Sequence, residues 1–188
     1  MTKNSLLSLL LIGFAVLVVI RLIPPSVDEI LEMTLSKNAE NITAITQARN
    51  ITETRTLMID KVELNHNNRF GHSVLGPLGW SEHFFADIET RFRVAEKARY
   101  RFMVGSDDGF RLSIDGKLLC QHVKDRPFRK QSCYQTLEEG EYQLSLSYFQ
   151  GYGNAGLTLE AGRDSGDKPV FWGDAIAGIE YLPVSGKP

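Results

Sequence analysis

Residues 100–116, YRFMVGSDDGFRLSIDG, decide the fold class of this chain. Side chains along residues 100–104, and again along residues 110–114, alternate between two faces, one of which is wholly apolar. This period of two is typical of a β-strand that has one face against a core and the other in water. The Asp-Gly pair at residues 115–116 is favoured in two-residue hairpin turns, because both turn positions need a positive φ. The stretch therefore predicts two strands, the second of which continues into a tight hairpin.

The same alternation continues outward from this stretch. It covers residues 84–94, 142–148 and 155–159. Short strands separated by turn residues predict an antiparallel β-sandwich or small barrel in which each sheet has one face on the core. We assign residues 56–188 to this all-β domain. The apolar clusters within residues 170–183 are predicted to close the sheet, and an exposed partner patch is the alternative.

The parity of the apolar positions predicts how two of these strands pair. The strand that ends at Val94 is expected to pair with the strand that begins at Ala98 through a three-residue loop, because a shorter loop would set apolar against charged positions. This register brings four guanidinium groups together on the solvent face, with Arg93 opposite Arg99 and Arg91 opposite Arg101. Such pairs of like charge are unfavourable. Acidic side chains on the same or neighbouring strands are the favoured source of neutralisation, since exposed charge pairs carry little energy; an anionic partner is the alternative.

The N-terminal segment has the composition of a transmembrane helix. Residues 6–23, LLSLLLIGFAVLVVIRLI, contain one charged side chain, Arg21. A helix of this length spans roughly 27 Å, which is close to the thickness of the hydrocarbon core of a bilayer. The alternative is a cleaved secretory signal, but no small-x-small cleavage motif follows the apolar run. We therefore predict an uncleaved membrane anchor within residues 1–25.

Residues 26–55 are predicted to form a short helical stalk. Ser26 and Glu29 stand at the spacing of a capping box. Leu31 and Leu35, four residues apart, then begin a thin apolar stripe that runs to about Arg49. So thin a stripe is typical of a stalk or of a helix that faces a partner, rather than of a core element.

Two features place the β-domain outside the cytosol. Lys3 precedes the apolar segment and acidic residues follow it, which favours a cytoplasmic N-terminus. Cys120 and Cys133 enclose a short loop and are predicted to form a disulfide, which requires an oxidising compartment. Two unpaired cysteines are the alternative. We expect a single-pass protein of the bacterial inner membrane with a periplasmic β-domain.

Five motifs occur in order along residues 57–162, and together they resemble the PA14 domain family. They are a Tyr-x-Phe strand at Tyr100, a Ser-Asp-Asp-Gly tip at residues 106–109, an Ile-Asp-Gly turn at Ile114, a Gly-x-Tyr strand at Gly140 and a Tyr-Phe-Gln segment at Tyr148. That family is named for the anthrax protective antigen and also occurs in yeast adhesins and as an insert in glycosidases. The resemblance implies a β-sandwich or barrel that binds glycans or mediates protein contacts.

The resemblance also implies a calcium and sugar site. In lectin members of the family, two adjacent aspartates, often joined by a cis peptide bond, hold a calcium ion that in turn holds sugar hydroxyls. Asp107 and Asp108 match that pair, and Asn154 in the second loop is the candidate third ligand. Calcium takes six to eight oxygen ligands, so sugar hydroxyls can fill positions that the protein leaves open. Further ligand-binding candidates are Ser106, Gly109, Gln150 and Tyr152, the last of which is able to stack on a sugar ring.

The aspartate pair also has a purely structural interpretation. Carboxylates in turns often accept backbone N–H bonds as Asx-type caps. Turn chemistry alone therefore leaves both roles open for Asp107 and Asp108. In either case we expect residues 106–109 to project from the sheet as an exposed apex.

Other classes of function lack support in the sequence. The net charge is −2 and no basic tract is present, so nucleic acid is not an expected partner. The four histidines are scattered without zinc-ligand spacing, and neither a nucleophile elbow nor a phosphate loop occurs. We predict a non-enzymatic accessory or recognition protein whose β-domain makes protein contacts within a larger envelope complex. The alternative is a calcium-dependent glycan-binding module that uses Asp107 and Asp108.

Overall fold

The computed structural model describes residues 12–14 and 26–183 of the 188-residue chain. Regular structure within residues 26–183 is entirely β, which confirms the predicted fold class. The strands, in chain order, are β1 (Leu31–Asn38), β2 (Ile51–Ile59), β3 (Glu63–Leu64), β4 (Gly71–His72), β5 (Gly76–Pro77), β6 (Phe84–Val94), β7 (Ala98–Asp107), β8 (Phe110–Ile114), β9 (Lys117–His122), β10 (Arg129–Leu137), β11 (Gly140–Gln150), β12 (Gly156–Arg163), β13 (Val170–Phe171) and β14 (Ile179–Tyr181).

The strands form two antiparallel sheets that share one core, as expected for a β-sandwich. The seven-stranded sheet has the order β2–β1–β6–β11–β8–β9, and β14 also pairs with β6. The five-stranded sheet has the order β10–β7–β12–β13, and β3 also pairs with β12. Strands β4 and β5 form a separate small hairpin. The inward residues of both sheets belong to a single buried cluster, so the core lies between the sheets.

Trp172 closes this core at the C-terminal end of the chain. Trp172 comes directly after β13, and its side chain is fully buried. The indole ring packs edge-on against Phe92 of β6 with a centroid distance of 5.1 Å, and lies 6.0 Å from the ring of Phe102 of β7. The indole N–H donates to the Thr90 hydroxyl at 3.2 Å, so its one polar group is satisfied. The C-terminal segment therefore covers the sheets, as predicted, rather than forming an exposed patch.

The predicted helical stalk at residues 26–55 is wrong, because this segment contributes β1 and most of β2. Strand β1 pairs with both β2 and β6 inside the seven-stranded sheet. Leu31, Met33 and Leu35 of β1 are all buried. The four-residue spacing of Leu31 and Leu35 fits a helix turn, but it also fits a strand, in which Met33 is the intermediate inward position. Burial against the opposite sheet decides between the two.

The predicted membrane anchor at residues 6–23 lies outside the described residues, apart from residues 12–14, which are helical. Within the described part of the chain, no helix combines the length and the apolar character needed to cross a bilayer.

The predicted hairpin between β6 and β7 is also wrong. The two strands belong to different sheets, so the loop at residues 95–97 crosses from one sheet to the other. Phe92 and Tyr100 are both buried, as predicted, but they face each other across the sandwich. Parity alone cannot separate these arrangements, because the same residues point inward in both.

Because β6 and β7 lie in different sheets, their arginines are not opposed in a hairpin as predicted. Three of the four form ion pairs with carboxylates of neighbouring elements, which was the favoured interpretation, whereas Arg101 forms no salt bridge within the described residues. Arg93 forms ion pairs with Glu141 of β11 at 2.7 Å and with Glu180 of β14 at 3.2 Å. Glu141 also pairs with Arg91 at 3.1 Å. Arg99 pairs with Asp164 at 3.3 Å. An anionic partner is not needed to explain Arg91, Arg93 and Arg99.

A turn and a disulfide stabilise one side of the sandwich, both as predicted. Asp115 and Gly116 have φ values of 49° and 71° and connect β8 to β9. Cys120 of β9 and Cys133 of β10 form a disulfide with a Cα–Cα distance of 6.2 Å. Since β9 and β10 are edge strands of different sheets, this bond ties the two sheets together. A loop of this length stabilises the fold by about 3 kcal/mol.

Candidate functional site

Residues 106–109 form the end of β7 and the turn into β8, and all four are buried, so the expectation of an exposed apex is wrong. Ser106 has no exposed surface, and Asp107 and Asp108 are only 9% and 5% exposed. Three loops lie over them. These are residues 39–50 between β1 and β2, residues 123–128 between β9 and β10, and residues 151–155 between β11 and β12.

A small second apolar cluster explains why the tip is covered. It lies on the outer face of the seven-stranded sheet and consists of Ile42, Ile45, Phe85 and Phe149. The backbone N–H of Ile45 donates to the carbonyl of Val123 at 2.9 Å, which fastens the first covering loop to the second. Phe85, which sequence parity placed on the solvent face, is fully buried by this cluster.

Gly109 allows the chain to pass under these loops. A Cβ atom at Gly109 would lie 2.5 Å from a ring carbon of Phe149 and 2.7 Å from the carbonyl oxygen of His122. Both distances are far below van der Waals contact. Gly109 is therefore needed for packing, and its predicted role as a ligand-binding residue has no support in its surroundings.

The two carboxylates each hold a covering loop by a backbone hydrogen bond. The Asp107–Asp108 peptide bond is cis, as the family resemblance implied. Asp107 Oδ2 accepts the backbone N–H of Phe128 at 3.0 Å. Asp108 Oδ2 accepts the backbone N–H of Gly151 at 2.7 Å. These are bonds of the kind expected from the structural interpretation of the pair.

The charges of the pair are nevertheless not neutralised by ion pairs. Within the described residues, neither Asp107 nor Asp108 forms a salt bridge. Burial raises the pKa of Asp108 to about 6, and the negative charge of Asp107 acts in the same direction. Burial also raises the pKa of Asp107, although the Phe128 N–H and the charge of Arg126 partly oppose it. The site therefore concentrates negative charge where water is largely excluded.

Arg126, which the sequence analysis missed, is the nearest cation to this pair. Its guanidinium donates to the Ser106 hydroxyl at 2.9 Å and to the Arg129 carbonyl at 3.2 Å. Its Nε is buried without a hydrogen-bond partner, and the group lies over the Phe110 ring at 5.5 Å. Burial lowers the pKa of Arg126. The surrounding segment has no periodicity, so the sequence carried no signal for this contact.

Gln150 and Tyr148 form a buried hydrogen-bonded pair below the loop at residues 151–155. The Tyr148 hydroxyl lies 2.5 Å from Gln150 Oε1 and also hydrogen bonds to the Asp107 carbonyl. Burial raises the pKa of this hydroxyl well above its ordinary value, so it stays protonated. Gln150 Nε2 donates to the carbonyl of Asn154 at 2.8 Å. Gln150 is fully buried, its amide nitrogen holds the loop, and its amide oxygen accepts from Tyr148 of β11.

The remaining predicted residues lie at the surface of that loop. Tyr152 is 77% exposed, the largest exposure of any large apolar or aromatic side chain among the described residues. The side chain of Asn154 is exposed as well. The loop thus brings an open aromatic ring and an amide next to Gly151, whose N–H holds Asp108.

The oxygen donors at the tip fit a calcium ion in part. An ionised carboxylate offers about four lone-pair positions. Asp107 Oδ2 and Asp108 Oδ2 each accept one backbone N–H, and the backbone N–H of Arg126 also interacts with the Asp108 carboxylate. Calcium requires six to eight oxygens. Among the described residues, no cluster of three or more His, Cys, Asp or Glu side chains is arranged to hold a metal. The two aspartates would therefore supply the charged ligands, and amide, carbonyl, water or ligand oxygens would have to supply the others.

Comparisons with solved structures show the same fold in binding domains. The PA14 sugar-binding domain of an RTX adhesin matches with a TM-score of 0.60 and 14% identity, over 76% of this chain and 93% of that domain. The A domain of epithelial adhesin 9 from Candida glabrata, solved with Galβ1-4GlcNAc, matches with a TM-score of 0.55 and 12% identity, over 78% of this chain and 89% of that one. An anti-sigma factor domain-containing protein matches with a TM-score of 0.60 and 18% identity, over 84% of this chain but only 49% of its own length.

At these identities the structural likeness shows the fold alone. Comparison with curated proteins gave no match. The model of the PA14 domain matches residues 44–170, which is more than half of the chain. Together with the sandwich and the Asp107–Asp108 tip, this match shows that the chain belongs to the PA14 domain family.

Proposed function

We propose that this chain is a calcium-dependent carbohydrate-binding module that uses Asp107 and Asp108 as its charged calcium ligands. The observation that carries the proposal is a buried pair of adjacent carboxylates without a salt-bridge partner in the described chain. Two neighbouring anions in a site with little water are costly, because desolvation and mutual repulsion add. A divalent cation removes both costs at once.

The neighbouring loop offers the groups that a sugar needs. Asp107 and Asp108 keep 9% and 5% of their surface exposed, and a calcium ion at this small opening would present its outward coordination positions to vicinal hydroxyls. The exposed ring of Tyr152 would pack against the apolar face of a sugar, and the exposed amide of Asn154 would hydrogen bond either to the ion or to a hydroxyl. Two of the solved structures with the same fold are a sugar-binding domain and an adhesin domain in complex with Galβ1-4GlcNAc, which supports this choice.

A glycan array tests the proposal directly. The full chain, purified in mild detergent, is applied with calcium and with EDTA. We expect signals from neutral glycans in calcium that EDTA removes and that Asp108→Asn abolishes. Asp167→Asn, which removes an exposed acid far along the sequence from the tip, is the matched control and should keep the signals. Neutral-glycan signals that persist in EDTA and in Asp108→Asn would refute calcium-dependent binding at this tip.

We further propose that the module is held at the bacterial inner membrane with its β-domain in the periplasm. The apolar segment at residues 6–23 and the disulfide between Cys120 and Cys133 support this location, since disulfides persist outside the reducing cytosol. Protease treatment of spheroplasts is the test. Digestion of the β-domain in intact spheroplasts is the expected result, and protection until lysis would contradict it.

A protein-contact role within an envelope complex is the second candidate, and one observation favours it. Leu118 and Tyr134 are 52% and 43% exposed and lie within two residues of the disulfide that joins the sheet edges. Exposed apolar side chains on edge strands are suited to a partner protein. Replacing both with serine should reduce recovery of partners in crosslinked membranes without lowering the glycan-array signal. Unchanged partner recovery would refute this surface.

A further inference from the structure

A second group of ligand-binding features lies on the other side of the loop at residues 151–155. The chain between β3 and β4 forms a tight turn, in which the N–H groups of His66 and Arg69 bond to each other's carbonyls at 3.0 and 3.1 Å. Asn67 and Asn68 at its centre have φ values of 54° and 58°. All four side chains of this turn are exposed. The turn therefore projects polar groups from the sandwich.

Two adjoining clefts flank this turn. The first has a volume of about 400 Å³ and the second a volume of about 430 Å³. Arg69 and Pro77 line both of them. Each volume falls in the range of roughly 300–1,000 Å³ that is usual for small-molecule sites. Arg69 thus stands on the ridge between two concave surfaces.

The ionisable side chains that line these clefts, among the described residues, are all of basic type. Within the described residues, the guanidinium of Arg69 forms no salt bridge and no side-chain hydrogen bond. His66 lines the first cleft, and no acidic side chain occurs among the described lining residues of either cleft. A guanidinium binds a carboxylate with two parallel hydrogen bonds. The guanidinium of Arg69 therefore suits an anionic ligand.

Trp80 supplies an aromatic wall to the second cleft. The guanidinium of Arg55 lies 4.7 Å from the centroid of the Trp80 ring, and the Phe84 ring lies 6.3 Å away, so the indole is held in place. Asn68 and Ser81 line the same cleft with polar groups. An aromatic surface beside amide and hydroxyl groups matches the apolar face and the hydroxyl rim of a sugar ring.

The same five-residue loop borders both sites. Gly151 donates its N–H to Asp108, whereas Gly153 and Ala155 line the second cleft. The N–H of Ala155 also donates to the carbonyl of Asn68 at 3.0 Å, which fixes the turn to the loop. A chain of linked sugar units that starts at the tip would reach the cleft across Gly153.

We infer that the clefts around Arg69 bind an acidic saccharide, with its carboxylate on Arg69 and its ring against Trp80. This inference deepens the proposed function by adding a subsite that selects charge, but the subsite itself needs no calcium. Neutral sugars would gain only the Trp80 contact. Acidic sugars would gain a charge-assisted pair as well.

Binding of two matched probes in EDTA tests the inference. The probes are a galacturonic acid trisaccharide and the corresponding galactose trisaccharide, titrated into the full chain in mild detergent at pH 7. We expect the acidic probe to bind more tightly, and Arg69→Gln to weaken it about tenfold, the effect of losing one charged hydrogen-bonded pair. Trp80→Ala should weaken both probes. Arg111→Gln, at an exposed position on β8, is the matched control and should change neither affinity.

The outcomes separate this inference from the proposed function. Equal affinity for both probes, an unchanged affinity of a folded Arg69→Gln variant, or no binding of the acidic probe at millimolar concentration would each overturn the inference. Calcium-dependent glycan binding that Asp108→Asn abolishes would survive all three results. Conversely, acidic-probe binding that depends on Arg69 in EDTA supports the subsite even if Asp108→Asn changes nothing on the glycan array.

Discussion

The two polar regions beside the loop at residues 151–155 differ in both burial and the sign of their charge. The tip at residues 106–109 is buried and carries two carboxylates without salt-bridge partners among the described residues. The turn around Arg69 is exposed and carries a guanidinium without an anion. Burial makes the first imbalance expensive and solvent makes the second cheap. The difference predicts that a cation bound at the tip would add stability, whereas a ligand in the clefts would not be needed for folding.

The largest expected effect on stability comes from adding a methyl group at Gly109, under the covering loops, and the comparison is the same change at Gly153, in the exposed part of the loop at residues 151–155. At Gly109 the new Cβ would press on Phe149 and on a backbone carbonyl, whereas at Gly153 it would meet open space. We expect Gly109→Ala to lower the free energy of unfolding by about 3 kcal/mol through overpacking. Gly153→Ala, where φ is +87°, should cost about 1 kcal/mol through backbone strain alone. Urea unfolding measures both, and equal losses would show that the tip is not tightly covered.

Arg126→Gln sharpens the contrast by removing the nearest cation from the tip. The variant loses the hydrogen bonds to Ser106 and Arg129, so we expect about 1–2 kcal/mol less stability in EDTA. It should also raise the pKa of Asp107 further, because the charge of Arg126 lowers it now. Urea unfolding at pH 7 is the measurement, with Arg111→Gln on β8 as the control. A stability equal to that of the control would show that Arg126 is merely a surface residue.

The pH dependence of stability reports on Asp108. Its folded-state pKa is raised to about 6, so the folded protein binds this proton more tightly than the unfolded chain does. In EDTA, the contribution of Asp108 to stability is therefore greatest below about pH 4 and is lost as the pH rises through about 6. His122 has a lowered pKa and acts in the opposite direction, so the comparison must be made against Asp108→Asn.

Thermal unfolding of both proteins between pH 4 and pH 7.5 supplies that comparison. The stability of the original protein relative to Asp108→Asn should fall as the pH rises. A difference that stays constant over this range would contradict an uncompensated carboxylate at the tip.

Removing the Arg69 guanidinium, beside the exposed clefts, should have the smallest effect on stability. Arg69 is exposed and forms no salt bridge within the described chain, so Arg69→Gln should change the free energy of unfolding by less than about 0.5 kcal/mol. Its expected defect is confined to binding. A loss above 1 kcal/mol on the same measurement, roughly the value of a hydrogen bond, would show that Arg69 has a structural partner.

The sequence predicted the elements that depend on local pattern. The alternating faces of β6 and β7 and the Asp115–Gly116 turn are set by neighbours a few residues apart, so single-sequence reasoning finds them. The disulfide and the closing segment at Trp172 were also predicted. The helical reading of β1 failed because Leu31 and Leu35 satisfy both a helical and a strand period, and only the partner strands β2 and β6 decide between them.

Features that depend on long-range packing escaped the sequence analysis. Covering of the tip needs loops that are remote in sequence, and Ile45 and Val123 meet there only in the folded state. The pairing of β6 could not be read from parity, since a sandwich and a hairpin bury the same residues. Arg126 and Arg69 lie in aperiodic loops that offer no pattern. Motif resemblance identified Asp107 and Asp108 as site candidates. That their side chains are buried rather than exposed follows only from the loops packed around them.

Calcium titration of the full chain tests the central claim most directly. Calorimetry in mild detergent, after removal of metal with EDTA and dialysis, should show one calcium ion bound per chain and a rise in the unfolding temperature. Asp108→Asn should lose both effects, whereas Asp167→Asn should keep them. Absence of binding heat and of any thermal shift at millimolar calcium, or equal binding by Asp108→Asn, would contradict the assignment of this buried carboxylate pair as a calcium site.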